Sequence, residues 1–128
     1  EPALVEHRGG AAASGAAVDR VLDERTLTEP GVARHLTRVL PPGSLLVASS
    51  SMPVRDVEWY AAPRTGVRVL ANRGANGIDG VVSTAVGVAL NYVPTSCLVG
   101  DIAFLHDTNA LWGLAERDPS STYELSTT

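Results

Sequence analysis

Apolar residues fall alternately into stripes at helical spacing and into short, uniformly apolar runs. The first stripe is weak. After a polar stretch containing Gly9 and Gly10, Ala17, Val18, Val21 and Leu22 recur at helical spacing, which predicts a modest helix from about Ala11 to Glu24. Alanine-rich faces bury little area, so residues 1–27 read as an interdomain linker with a connector helix, and the chain as part of something longer. From Thr28 the pattern sharpens. Thr28-Glu29-Pro30 offers a cap, an acid in the first turn and a proline where a lost N–H costs nothing. Val32, Leu36, Val39 and Leu40 form one stripe, and Pro41-Pro42-Gly43 ends it.

Leu45-Leu46-Val47-Ala48 is apolar throughout, as expected of a parallel strand covered on both faces. The cycle then repeats: a helix from about Val54 to Ala61, a strand over Val67 to Ala71 and a glycine-rich loop from Asn72 to Gly80. A helix from about Val81 to Asn91 follows, then a strand over Ser96 to Val99 and a last helix from about Ile102 or Phe104 to Glu116. Helix and strand alternating over short connections predict an α/β fold, a doubly wound parallel sheet with right-handed crossovers. The cycle breaks at residues 118–128, a Ser/Thr-rich stretch read as a frayed or disordered polar tail.

Composition narrows the chemistry. The formal charge is −4 and all ten basic residues are arginine, so the chain lacks the lysine of a phosphate-binding P-loop or a Schiff-base enzyme. The single cysteine, Cys97, cannot close an internal disulfide or build a cysteine-rich zinc site. Nucleic-acid binding lacks its basic footprint. No apolar run is long enough to span a membrane and no secretory signal is readable, which leaves a cytoplasmic location as the default expectation.

In open α/β sheets ligands sit beyond the carboxyl ends of the strands, which directs attention to three loops. The first, Ser49 to Arg55, sets three hydroxyls and Arg55 at a helix start, where free N–H groups favour an anion. The alternative is that the serines cap the helix and Arg55 is a surface charge. The second is Asn72-Arg73-Gly74-Ala75-Asn76-Gly77-Ile78-Asp79-Gly80, whose glycines, Gly77 among them, permit tight turns and close approach to a ligand. Arg73 is a candidate carboxylate or phosphate clamp, and Ile78 packs either into the core or against a flat ligand ring. The third opens on Gly100-Asp101, where a strand-end carboxylate either holds Mg²⁺ against a diphosphate or caps a helix. His106 and Asp107 are read as packed or solvated.

Ser51-Met52-Pro53-Val54-Arg55-Asp56, the nine-residue glycine loop, Ser83-Thr84-Ala85 and Gly100-Asp101-Ile102-Ala103-Phe104-Leu105-His106-Asp107-Thr108-Asn109, in that order, resemble one family. It is the thiamine-diphosphate enzyme of menaquinone biosynthesis, 2-succinyl-5-enolpyruvyl-6-hydroxy-3-cyclohexene-1-carboxylate synthase. The resemblance covers about Thr28 to Arg117, so residues 28–117 are expected to be the N-terminal half of a diphosphate-binding domain. It implies thiamine diphosphate and Mg²⁺, held between that domain and a pyrimidine-binding domain, usually of different subunits, hence a homo-oligomeric parent. It also implies Asp101 as a metal ligand, with Gly77, Ile78 and Gly100 at the cofactor. Ser51, Arg55 and Arg73 match positions that hold the carboxylates of 2-oxoglutarate and isochorismate. The family decarboxylates the first and adds the succinyl unit to the second.

The sequence departs from that pattern where the cofactor motif should continue with an asparagine and a glycine-rich turn. Tyr123 to Thr128 contain neither. A chain with half a metal site and no pyrimidine domain is expected to be inactive alone, and to self-associate through apolar faces left open near Val81 to Leu90 and Leu111 to Leu114. The competing reading is a non-catalytic α/β module that binds an anion or a protein partner.

Overall fold

The computed structural model describes residues 13–23, 27–72, 77–91, 94–114 and 124–127. A helix over residues 13–22 (α1) leads to α2 (Glu29–Val39), β1 (Leu45–Ala48), α3 (Met52–Tyr60) and β2 (Arg68–Leu70). There follow α4 (Val81–Ala89), β3 (Thr95–Val99), α5 (Asp101–His106), a 3₁₀ helix (Thr108–Leu114) and β4 (Glu124–Thr127). The cap expected at Thr28 forms: its hydroxyl accepts the Gly31 N–H at 3.2 Å. That supplies one of the partners a helix start lacks.

The sheet order is β2-β1-β3-β4, with every pair parallel. Alternation along β1 and β3 explains why helices cover both faces. Leu46 and Ala48 of β1 and Leu98 of β3 pack with Ala33 and Leu40 near α2 and Val57 of α3. Val47, Cys97 and Val99 turn to the other face, against Val81 and Ala85 of α4 and Ala103 of α5. Leu46, Val47 and Leu98 are at most 1% exposed, each contributing about 1.5–3 kcal/mol by burial.

Two expectations are corrected. The last helix is not continuous to Glu116: α5 ends at His106, with Asp107 as its cap, and a 3₁₀ helix follows. The expected tail does not lie wholly outside the sheet, because Glu124–Thr127 pair with β3, Ser96 opposite Glu124 and Val99 opposite Thr127. A β3 edge without β4 would present unpaired N–H and C=O groups, a force that the polarity of the tail does not register. The apolar faces expected to stay partly open do so in part: Val81, Val82 and Ala85 are buried, but Val86, Val88 and Leu90 are half-buried and Trp112, within Leu111–Leu114, is 79% exposed. Val69 and Leu70 of the edge strand, Ile102 and Leu105 are exposed as well.

α1 is held by charge as well as by packing. Arg34, 8% exposed, lies with Nη2 2.5 Å from an Asp19 carboxylate oxygen, and its Nη1 donates to the Tyr60 carbonyl at the end of α3. Arg38 pairs with Asp23 at 3.0 Å. Among the described residues no helix is long and apolar enough to cross a membrane.

Candidate functional site

The strand order places β1 centrally, with β2 on one side and β3 on the other. The loops leaving β1 and β3 therefore run to opposite faces and part at their carboxyl ends, the point where open α/β sheets form ligand crevices. A crevice of about 260 Å³ lies there, lined by residues 49–53 after β1, residues 100–103 after β3, Ile78 and Glu29.

The first wall is built by a strained turn. Ser51 has φ 74° and ψ −127°, and is the only positive-φ non-glycine among the described residues. Side chains avoid this region, and such strain collects at functional sites. Ser51 occupies the N-cap position of α3, yet its side chain makes no capping bond. Ser49 is buried and its hydroxyl lacks a hydrogen-bond partner. The simple reading of these serines as helix caps is therefore not what the geometry gives for either one. Hydroxyls without internal partners at an open helix start suit an anionic ligand.

Arg55 is exposed one turn further along α3 and does not line the crevice. Asp56, next to it, is 2% exposed, and its Oδ1 has no partner. Burial raises its pKa from the ordinary aspartate value, and the charge of Glu29 adds to the effect.

The second wall is the end of the glycine loop. Arg73 lies outside the described residues, so its candidate role as a clamp has no structural account. Gly77 and Gly80 have φ of 43° and 68°, left-handed values that explain glycine at both positions. Between them Ile78 does both things the sequence left open: it packs on the core cluster of Val47, Val81 and Val99, and it faces the crevice. Gly77 adjoins it but is not part of the lining.

The third wall starts at Gly100, the N-cap of α5, and Asp101, whose Oδ1 accepts the N–H of Ile102 at 2.7 Å. Asp101 is exposed, so its carboxylate remains open to a ligand. Among the described residues no group of three or more His, Cys, Asp or Glu could hold a metal ion unaided.

Ser51, Ile78, Gly100 and Asp101 are thus brought to one crevice. Sequence reasoning missed Glu29, which looks like an ordinary first-turn acid but lines the same cavity. It also missed Asp107, whose Oδ2 accepts the Ser83 N–H at 2.8 Å and whose Oδ1 accepts the Ser83 hydroxyl at 3.0 Å. No local pattern signals a cap supplied from 24 residues away. In the core on β3 the Cys97 thiol is pushed up to about 11, by burial first and then by the charge of Asp107, so it stays protonated at neutral pH.

No family model matches the chain. It is similar to curated proteins named 2-succinyl-5-enolpyruvyl-6-hydroxy-3-cyclohexene-1-carboxylate synthase. The relative from Thermobifida fusca is 51% identical over 73% of this chain and 18% of its own length. That from Rubrobacter xylanophilus is 50% identical over 77% of this chain and 18% of its own length. That from Saccharopolyspora erythraea is 48% identical over 85% of this chain and 20% of its own length. The chain thus spans about a fifth of the length of the curated relatives it matches.

Proposed function

Because the chain belongs to the 2-succinyl-5-enolpyruvyl-6-hydroxy-3-cyclohexene-1-carboxylate synthase family, we propose that it serves as the opening part of the diphosphate-binding domain of such a synthase. The observation that carries this reading is the crevice at the carboxyl ends of β1 and β3, with Ser51, Ile78 and Asp101 around it. The whole protein is a thiamine-diphosphate-dependent transferase of menaquinone biosynthesis. It decarboxylates 2-oxoglutarate and adds the succinyl unit to isochorismate. Thiamine diphosphate, when bound, supplies the stabilisation of negative charge that decarboxylation demands.

The residues fit the cofactor in part. Mg²⁺ keeps several waters and is commonly held by one or two carboxylates together with substrate phosphates, so the open carboxylate of Asp101 suits one place in its shell. Further protein ligands come from outside the described residues. Ile78 offers an apolar surface for a flat ring, and Gly100 keeps the backbone accessible beside Asp101. Ser51, with an uncommitted hydroxyl, binds a substrate carboxylate in the crevice, and Arg55, on α3 outside the crevice lining, supplies with Arg73 the charge that a dicarboxylic acid requires. The parent is a homo-oligomer in which another subunit's pyrimidine-binding domain completes the site. The 128-residue chain is inactive without that domain.

The reading is tested by steady-state kinetics on the full-length synthase. Arg55→Lys keeps the charge but loses the planar fork, so use of 2-oxoglutarate or isochorismate should fall about tenfold while cofactor affinity holds. Unchanged kcat/KM for both substrates would remove Arg55 from the site.

A further inference from the structure

The turn that carries Ile78 is held in part from outside itself. Gly80, the N-cap of α4, has no side chain to cap the helix, and the space around the Cβ positions of Gly77 and Gly80 is open. Within the adjoining segments, Asn72 Nδ2 and the Thr84 hydroxyl both donate to the Gly80 carbonyl, at 3.2 and 2.7 Å. One N–H of the helix start is satisfied from elsewhere: Asp107 Oδ2 accepts the Ser83 N–H, while its Oδ1 accepts the Ser83 hydroxyl. One residue earlier, His106 Nδ1 lies 3.1 Å from Asp79 Oδ1, which ties the same end of α5 to the residue after Ile78.

α5 is six residues long and starts at Asp101. Its first residue stands in the crevice, His106 at its end meets the turn that sends Ile78 into that crevice from another wall, and its C-cap Asp107 holds the first turn of α4 that follows. We propose that Asp107 is a positioning residue: through its paired bonds to Ser83, reinforced by the His106 contact with Asp79, it fixes Ile78 relative to Asp101. The proposal rests on the reading of the crevice as the cofactor site.

The test is calorimetric titration of thiamine diphosphate with Mg²⁺ into the full-length synthase, well below its unfolding temperature. Asp107→Ala should weaken cofactor binding about tenfold, the scale of losing a hydrogen-bonded carboxylate contact. Asp107→Asn can still accept from the Ser83 N–H and donate to the hydroxyl, so it should stay within about threefold of wild type. A folded Asp107→Ala protein that binds cofactor within about twofold of wild type overturns the proposal. Equal weakening by Ala and Asn assigns the effect to charge and overturns it as well. Should Asp107→Ala fail to fold, Ser83→Ala, which removes one of the two bonds, should weaken binding about threefold, and unchanged affinity would count against the proposal. Asp101→Asn separates the two levels. If it weakens binding and Asp107→Ala does not, positioning fails and the cofactor site stands, and if neither matters the site itself is wrong.

Discussion

Replacing Ser51 by glycine should make the protein more stable and the site worse. Ser51 holds φ 74° and ψ −127°, a region that only glycine enters freely. A side chain forced there stores about 1–3 kcal/mol. Glycine adds freedom to the unfolded chain worth about 0.4–1 kcal/mol in the opposite direction. The balance is a gain of roughly 0.5–2 kcal/mol for Ser51→Gly, visible as a higher denaturation midpoint at unchanged slope. Ser51→Ala isolates the hydroxyl from the strain. The side chain is exposed and caps nothing, so stability should stay within about 0.5 kcal/mol of wild type. Both variants should bind the substrate carboxylate more weakly in the full-length synthase, by about tenfold or roughly 1.4 kcal/mol for a lost charge-assisted hydrogen bond. Paired denaturant titrations decide the stability half. A Ser51→Gly protein no more stable than Ser51→Ala would refute the claim that strain is stored at this turn.

Two further outcomes follow from buried charge. Arg34→Ala removes the bond to the Tyr60 carbonyl and the pair with Asp19, and should lower stability by about 2–4 kcal/mol, whereas Asp19→Asn, at a half-exposed partner, should cost under about 1 kcal/mol; equal losses in chemical denaturation would contradict the arrangement. For Asp56, burial raises the folded-state pKa above that of the unfolded chain, so the unfolded state gives up its proton first and the group's contribution to stability declines as pH rises from about 4 through the folded pKa. Asp56→Asn should lack that decline, so that stability measured across this range becomes flatter, and an unaltered slope would remove Asp56 as its source.

What could be read from the sequence was what is decided locally. Thr28-Glu29-Pro30 announces its helix because the cap, the first-turn acid and the proline act within one turn. Leu45–Ala48 announces a covered strand because all four of its residues are buried. The loops at the strand ends were legible from topology, and they line the crevice. What escaped was decided at a distance. Nothing near Asp107 reveals that its carboxylate is committed to Ser83, and nothing in the composition of Glu124–Thr127 reveals the open edge of β3. Ser51 was a candidate for its hydroxyl, but its strain is a property of a backbone held between β1 and α3.

The central claim is that thiamine diphosphate and Mg²⁺ lie between the tips of β1 and β3, and the measurement that bears on it most directly is a structure of the full-length protein with both bound. The expected result has a carboxylate oxygen of Asp101 about 2.1 Å from the cation and Ile78 in van der Waals contact with the cofactor at about 3.5–4 Å. A cofactor bound away from this crevice, or a cation shell that omits Asp101, would contradict it.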